Sequence, residues 1–118
     1  MLFHVFGSQE ERRIFGGSAF VEIQFCELPV GTKEKKLVAL TSISHWKNDS
    51  LYVEELDTFS QEYSHILNCD IYGINYYAPS LIDSIIAKLH ANKPADYEQF
   101  AAWLNEAKRH NGFYILGI

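Results

Sequence analysis

Hydrophobic and polar positions alternate through the first half of the chain and then fall into helical spacing. Residues 2–6 form a short apolar run stopped by Gly7, a first strand. The polar stretch 8–13 and the pair Gly16-Gly17 read as a loop or turn. Over residues 19–26, Val21, Ile23 and Phe25 alternate with Glu22 and Gln24, the period of two expected of a half-buried strand. Pro29 and Gly31 end that run, residues 33–36 make a charged turn, and the run 37–43 predicts a further strand, paired antiparallel. After a polar break at 47–50, Leu51, Tyr52 and Val53 suit another.

Beyond this point the spacing lengthens. Asp57 stands where it would cap a helix carrying Phe59, Tyr63 and Leu67 on one stripe, with Glu62 and His65 on the other face. Residues 71–77 read as a strand in which Gly73 marks a bulge or a close backbone approach, and Pro79 ends it. Ser80 and Asp83 resemble a capping box for a second helix with Leu81, Ile82, Ile85, Ile86 and Leu89 on its apolar face. A third helix starts near Pro94 or Asp96, carries Tyr97, Phe100, Leu104 and Ala107, and ends at Lys108 to His110 with Asn111-Gly112 as the left-handed stop. Residues 113–118 are apolar enough to be a buried strand, and one that inserts centrally, because left on an open edge it would invite aggregation. The pattern predicts one α+β domain over residues 1–118: a mostly antiparallel sheet of about five or six strands with about three helices packed on one face.

Composition is that of an ordinary globular chain, 47% hydrophobic and 21% charged over 118 residues, which argues against disorder. The net charge of −5 is unevenly placed. Residues 1–47 carry six Lys/Arg against five Asp/Glu, whereas residues 48–118 carry four against ten. Between Lys47 and Lys88 there is no Lys or Arg, yet Asp49, Glu54, Glu55, Asp57, Glu62, Asp70 and Asp83 fall there. Such a belt keeps its field, repelling phosphate backbones and attracting basic proteins or cations. Nucleic acid is therefore disfavoured as a partner. The first residues lack a basic signal-peptide region, no apolar run approaches the roughly 20 residues of a membrane span, and two cysteines are too few for a disulfide scaffold. The expectation is a soluble, cytoplasmic protein without a membrane partner.

No arrangement of residues spells out a reaction. His65 and Cys69 are four apart and have the types of a thiol nucleophile and its base, or of two zinc ligands. Cys26, His4, His45, His90 and His110 are scattered, with no second ligand pair at short spacing. Glu54-Glu55, or Glu55 with Asp57, contain the carboxylates of a hydrolase pair, but a helix start attracts acids without any catalytic purpose. Gly16-Gly17 precedes a strand instead of a helix and so lacks the geometry of a phosphate loop. No catalytic residue, cofactor or metal is expected. Tyr52, Tyr72, Tyr76, Tyr77, Trp46 and Trp103 divide between core packing and, where exposed beside the belt, anchors for a protein interface.

Three segments, YGINYY at 72–77, KPADYE at 93–98 and NGFYILGI at 111–118, resemble the C-terminal part of small bacterial immunity proteins from toxin/immunity systems, including contact-dependent growth inhibition. The likeness covers residues 70–118. It implies a protein that binds a cognate toxin domain, often a basic nuclease, and blocks it. The acidic belt independently points to a basic partner. The expected contacts are Asp49, Glu54, Glu55, Asp57 and Glu62, with Tyr52, Tyr76 and Tyr77 as anchors; none is carried over from the family. Two other readings stand beside this one: a small hydrolase or transferase, and a homo-oligomeric regulatory domain, a homodimer for instance, joined through an apolar edge strand.

Overall fold

The computed structural model describes residues 1–16, 19–39, 43 and 46–117. In chain order the elements are β1 (Phe3–His4), α1 (Gln9–Phe15), β2 (Val21–Phe25), α2 (Glu34–Leu37), β3 (Leu51–Val53), α3 (Leu56–Leu67), β4 (Ile74–Tyr77), α4 (Pro79–Asn92), α5 (Tyr97–Ala107) and β5 (Phe113–Leu116). The five strands form one antiparallel sheet in the order β1-β3-β2-β5-β4, an α+β fold. The C-terminal strand lies between β2 and β4, inside the sheet as its apolar composition demands. No helix among the described residues is long and apolar enough to cross a membrane.

Strand alternation sends Val21, Ile23, Phe25, Leu51, Val53, Phe113 and Ile115 to one face, where α3, α4 and α5 cover them. Phe59 and Tyr63 from α3, Ile82, Ile85 and Leu89 from α4, and Phe100, Trp103 and Leu104 from α5 complete this core. Each large side chain buried this way contributes about 1.5–3 kcal/mol. Phe3, on a strand of two residues, is held by Tyr63 and Phe100 at ring separations of 5.4 and 5.2 Å.

The opposite face is covered too, and here the pattern misleads. The alternation in β2 leaves Glu22 and Gln24 facing solvent, but all five residues of β2 are buried. Two helices not expected from the periodicity account for this. Residues 8–13, expected as loop, are mostly α1: the Ser8 hydroxyl accepts the Glu11 N–H at 3.1 Å, and the Glu11 carboxylate accepts the Gly7 N–H at 3.1 Å. This helix buries none of its residues, so no apolar stripe betrays it. It is held over the sheet by Arg12, whose guanidinium lies 5.7 Å from the ring centres of both Phe20 and Tyr52, and by Phe15 against His4 and Phe6. The charged turn at 33–36 is largely α2. Its Leu37 joins Cys26, Ile43, Tyr114 and Leu116 in a second apolar cluster. Of the strand expected over 37–43, Leu37 ends α2, Val38, Ala39 and Ile43 belong to no strand, and residues 40–42 lie outside the described residues.

Helix starts differ from expectation. Asp57 does not cap α3; Glu55 holds that position without a side-chain bond and Asp57 sits in the first turn. Ala78 precedes α4 with Pro79 at its first turn, so Ser80 and Asp83 form no capping box. Asp96 does precede α5, but its carboxylate accepts the distant Leu2 N–H at 2.6 Å instead of capping. Residues 71–73 turn before β4 begins, closed by the Tyr72 N–H donating to the Asp70 carboxylate at 2.9 Å.

Candidate functional site

Val53 ends β3, and the chain enters α3 within three residues. The Leu56 N–H donates to Glu54 O at 2.9 Å, and the Phe59 N–H donates to Glu55 O at 3.0 Å. Leu56 packs against the main core, which draws the turn inward and leaves Glu54, Glu55 and Asp57 exposed. With Leu56 and Thr58 they line a shallow concavity of about 480 Å³. None of the three carboxylates makes a hydrogen bond or ion pair among the described residues. The positive end of the helix dipole makes this density of charge tolerable.

Of the rest of the belt, Glu62, Asp70 and Asp83 are committed elsewhere, and Asp49 lies apart. The Glu62 carboxylate accepts the Ala95 N–H at 3.0 Å and is half-buried, tying α3 to the turn before α5. Asp70 is engaged in the turn before β4, and Asp83 pairs with Lys108 at 2.5 Å. Asp49 is exposed, its main-chain carbonyl accepting the Trp103 indole N–H at 3.0 Å. It lies at the other end of β3 from Glu54, up to about 16 Å away at the strand rise of about 3.3 Å per residue. The structure therefore brings together Glu54, Glu55 and Asp57, and leaves Asp49 and Glu62 outside that group.

The tyrosines do not meet the condition for interface anchors. Tyr52 is fully buried: β3 alternation turns it to the α1 side of the sheet, where Phe6, Phe20 and Arg12 cover it. Tyr77 is buried as well, stacked on Phe113 at 4.6 Å with its hydroxyl donating to Leu67 O at 2.9 Å. Tyr76 is half-buried and donates to Asn111 O at 2.6 Å. The exposed tyrosine of the region is Tyr72, at 72%.

A second constellation was not legible in the sequence. Glu22, Gln24 and Ser50 are buried polar residues that meet in the sheet's centre. One oxygen of Glu22, Oε2, accepts Ser50 Oγ at 2.8 Å and Gln24 Nε2 at 3.0 Å, and lies 3.2 Å from the Tyr52 hydroxyl. That hydroxyl also sits 2.9 Å from Lys47 O and accepts the Lys47 N–H at 3.2 Å. Burial pushes the Glu22 carboxyl above its ordinary 4.5, partly offset by bonds from Ser50, Gln24 and Tyr52 and by the charge of Arg12. Every donor is satisfied, which makes this a structural network joining β2 to β3.

The raised Glu22 value has a measurable consequence. Between the ordinary carboxylate value and the raised one, the folded state binds more protons than the unfolded state. The stability contributed by this group therefore falls as pH rises through that window and stays lost above it. Glu22→Gln retains an acceptor for Ser50 and removes the charge. It is expected to be more stable than the wild type at neutral pH and to flatten the pH slope, read by denaturant midpoints from about pH 4 to about pH 8. Wild-type and variant midpoints that change in parallel across that range would refute it.

The described thiols and imidazoles stand apart from the carboxylates. Both cysteines are free, and the sheet separates them: Cys26 sits in the α2-side cluster and Cys69 against the helical core. Burial pushes the Cys69 thiol up, away from a reactive thiolate. Among the described residues no histidine or cysteine shares a hydrogen bond with a carboxylate, and no three His, Cys, Asp or Glu group as metal ligands. A second cleft of about 400 Å³ between residues 26–30 and 108–111 is basic, but Lys108 and Arg109 are already paired with Asp83 and Glu106. In comparisons with protein-family models, with curated proteins and with solved structures, the chain finds no match.

Proposed function

We propose that this chain is an inhibitory binding protein of the immunity type, which docks a basic toxin domain in the cytoplasm and neutralises it without a reaction of its own. The observation that supports this reading is the group Glu54, Glu55 and Asp57: three exposed carboxylates around one concavity, without intramolecular partners among the described residues. A toxin that acts on nucleic acid displays cations where phosphates bind, and carboxylates that carry no cation of their own compete for that surface. The field steers encounter and sets the on-rate. With Tyr52 and Tyr77 in the core, the apolar part of such a contact falls to Leu56 and the Thr58 methyl, which line the concavity with the carboxylates.

The direct test uses the product of the neighbouring gene. Its toxic domain, mixed with the purified chain, is expected to form a complex whose association slows as salt is raised, because the Debye length shrinks from about 10 Å at 0.1 M to about 3 Å at 1 M. Cells producing the chain are expected to survive that domain. Absence of both binding and protection would overturn the proposal, as would a complex whose association ignores salt.

A further inference from the structure

The sheet has two edges, and they are treated differently. At β1, a strand of two residues, the main chain is closed off: Phe3 O accepts Gln99 Nε2 at 3.3 Å and the Leu2 N–H donates to Asp96 at 2.6 Å. At β4, four residues pair with β5 and, among the described residues, with no other strand. The Gly117 N–H donates to Gly73 O at 2.8 Å, which fixes the phase of the antiparallel ladder. Asn75 and Tyr77 therefore exchange bonds with β5, the Gly73 N–H turns back to Asp70 O at 3.2 Å, and Ile74 and Tyr76 direct their N–H and C=O groups outward. Three of the four residues of β4 are only half-buried, whereas β2, β3 and β5 are buried throughout.

We infer that this open edge of β4 is a self-association surface, through which two copies of the chain pair antiparallel and join their sheets. Proteins block exposed edges with lysines, prolines or inward charges, and β4 has none of these. Residues 71–82 carry no charge at all, and exposed apolar side chains flank the strand, Tyr72 at 72% and Leu81 at 48%. Charge selects the occupant. A like copy at −5 is repelled wherever carboxylates are exposed, and this neutral edge is a place where it can approach. The same neutrality gives a cationic partner no reason to prefer it. A two-fold axis at Asn75 sets Ile74 opposite Tyr76 of the partner subunit, and the reverse, closing four N–H···O bonds and bringing Tyr72 toward the strand-to-helix corner of the other copy. An edge contact of this kind is small, so the dimer is expected to form in the micromolar range. The inference does not depend on the acidic group at α3.

Sedimentation of the full chain from about 1 μM to about 1 mM is expected to pass from monomer to a species of twice the 13.6 kDa chain mass. Over the same range the Ile74 and Tyr76 amides are expected to gain protection from hydrogen exchange. Tyr76→Pro removes an outward N–H and leaves the bonds of residues 75 and 77 to β5. Tyr72→Lys adds charge at a side chain that supports no packing. Both are expected to be monomeric, and Tyr72→Lys, which leaves the core untouched, decides the matter if the proline variant unfolds. A monomer at every concentration overturns the inference. So does a dimer that persists in Tyr72→Lys with the two amides still exposed, or protection of those amides only when the basic toxin domain is added, which would assign the edge to a foreign strand.

Discussion

Replacing Glu54, Glu55 and Asp57 together by lysine is expected to slow association with a basic toxin domain by about 100-fold or more at low salt. Steered protein pairs associate at up to about 10⁸–10⁹ M⁻¹s⁻¹ against about 10⁵–10⁶ without steering, and the triple change turns attraction into repulsion. These carboxylates support no hydrogen bond or ion pair among the described residues, so the fold does not depend on them. Lysines at a helix N-terminus oppose its dipole at about 0.3–1 kcal/mol each, a small loss that must be separated from binding. The amide variant, Glu54→Gln, Glu55→Gln and Asp57→Asn, makes that separation: stability near wild type, with a smaller loss of rate than the lysine variant. Stopped-flow association across a salt series distinguishes the outcomes. If the lysine variant associates as fast as wild type at low salt, the contact lies elsewhere on the molecule.

Gly112→Ala is expected to cost about 3 kcal/mol or more, a large share of the about 5–15 kcal/mol that holds a domain folded. Two effects combine. The backbone there is left-handed, φ +84°, which costs an L-residue about 1–2 kcal/mol. A Cβ at this position would also run into Tyr77 O, a main-chain atom of β4 that moves only if β4 separates from β5. The expected fall in Tm is about 10 °C or more. Asn tolerates left-handed backbone but has the same Cβ, so Gly112→Asn is expected to be as damaging as alanine if the collision dominates. Recovery of most of the loss by asparagine would show that backbone strain alone made glycine necessary.

Gly112 shows how local signals and tertiary contacts divide the work. Its positive φ was legible from Asn111-Gly112, but not as the helix stop expected there, because α5 ends at Ala107 with a right-handed cap at Lys108; the collision with Tyr77 depends on β5 lying beside β4. The same division runs through the site. That Glu54, Glu55 and Asp57 crowd a helix start could be read directly, because charge at a helix start acts over a few residues, although the cap fell on Glu55 and not on Asp57. That Glu62 serves Ala95, that Asp83 serves Lys108 and that Tyr52 lies under Arg12 could not, since each partner is remote in the chain. The helix α1 carried a readable signal in Ser8 and Glu11, but without an apolar stripe the period favoured loop.

The chain by itself determined the α+β class, the helical stripes of α3 to α5, the apolar phase of β2 and β5, and the concentration of negative charge in mid-chain. Those are properties of neighbours along the backbone, and spacing of two or of three to four reports them. Only the tertiary structure decided that β2 is covered on both faces, so that Glu22 is a buried acid bonded to Ser50 and Gln24, and that Glu54, Glu55 and Asp57 gather around one concavity without partners among the described residues. Periodicity tells which residues share a face; what lies over that face depends on segments the chain brings back from a distance, and there Leu37 and Arg12 come to rest on it.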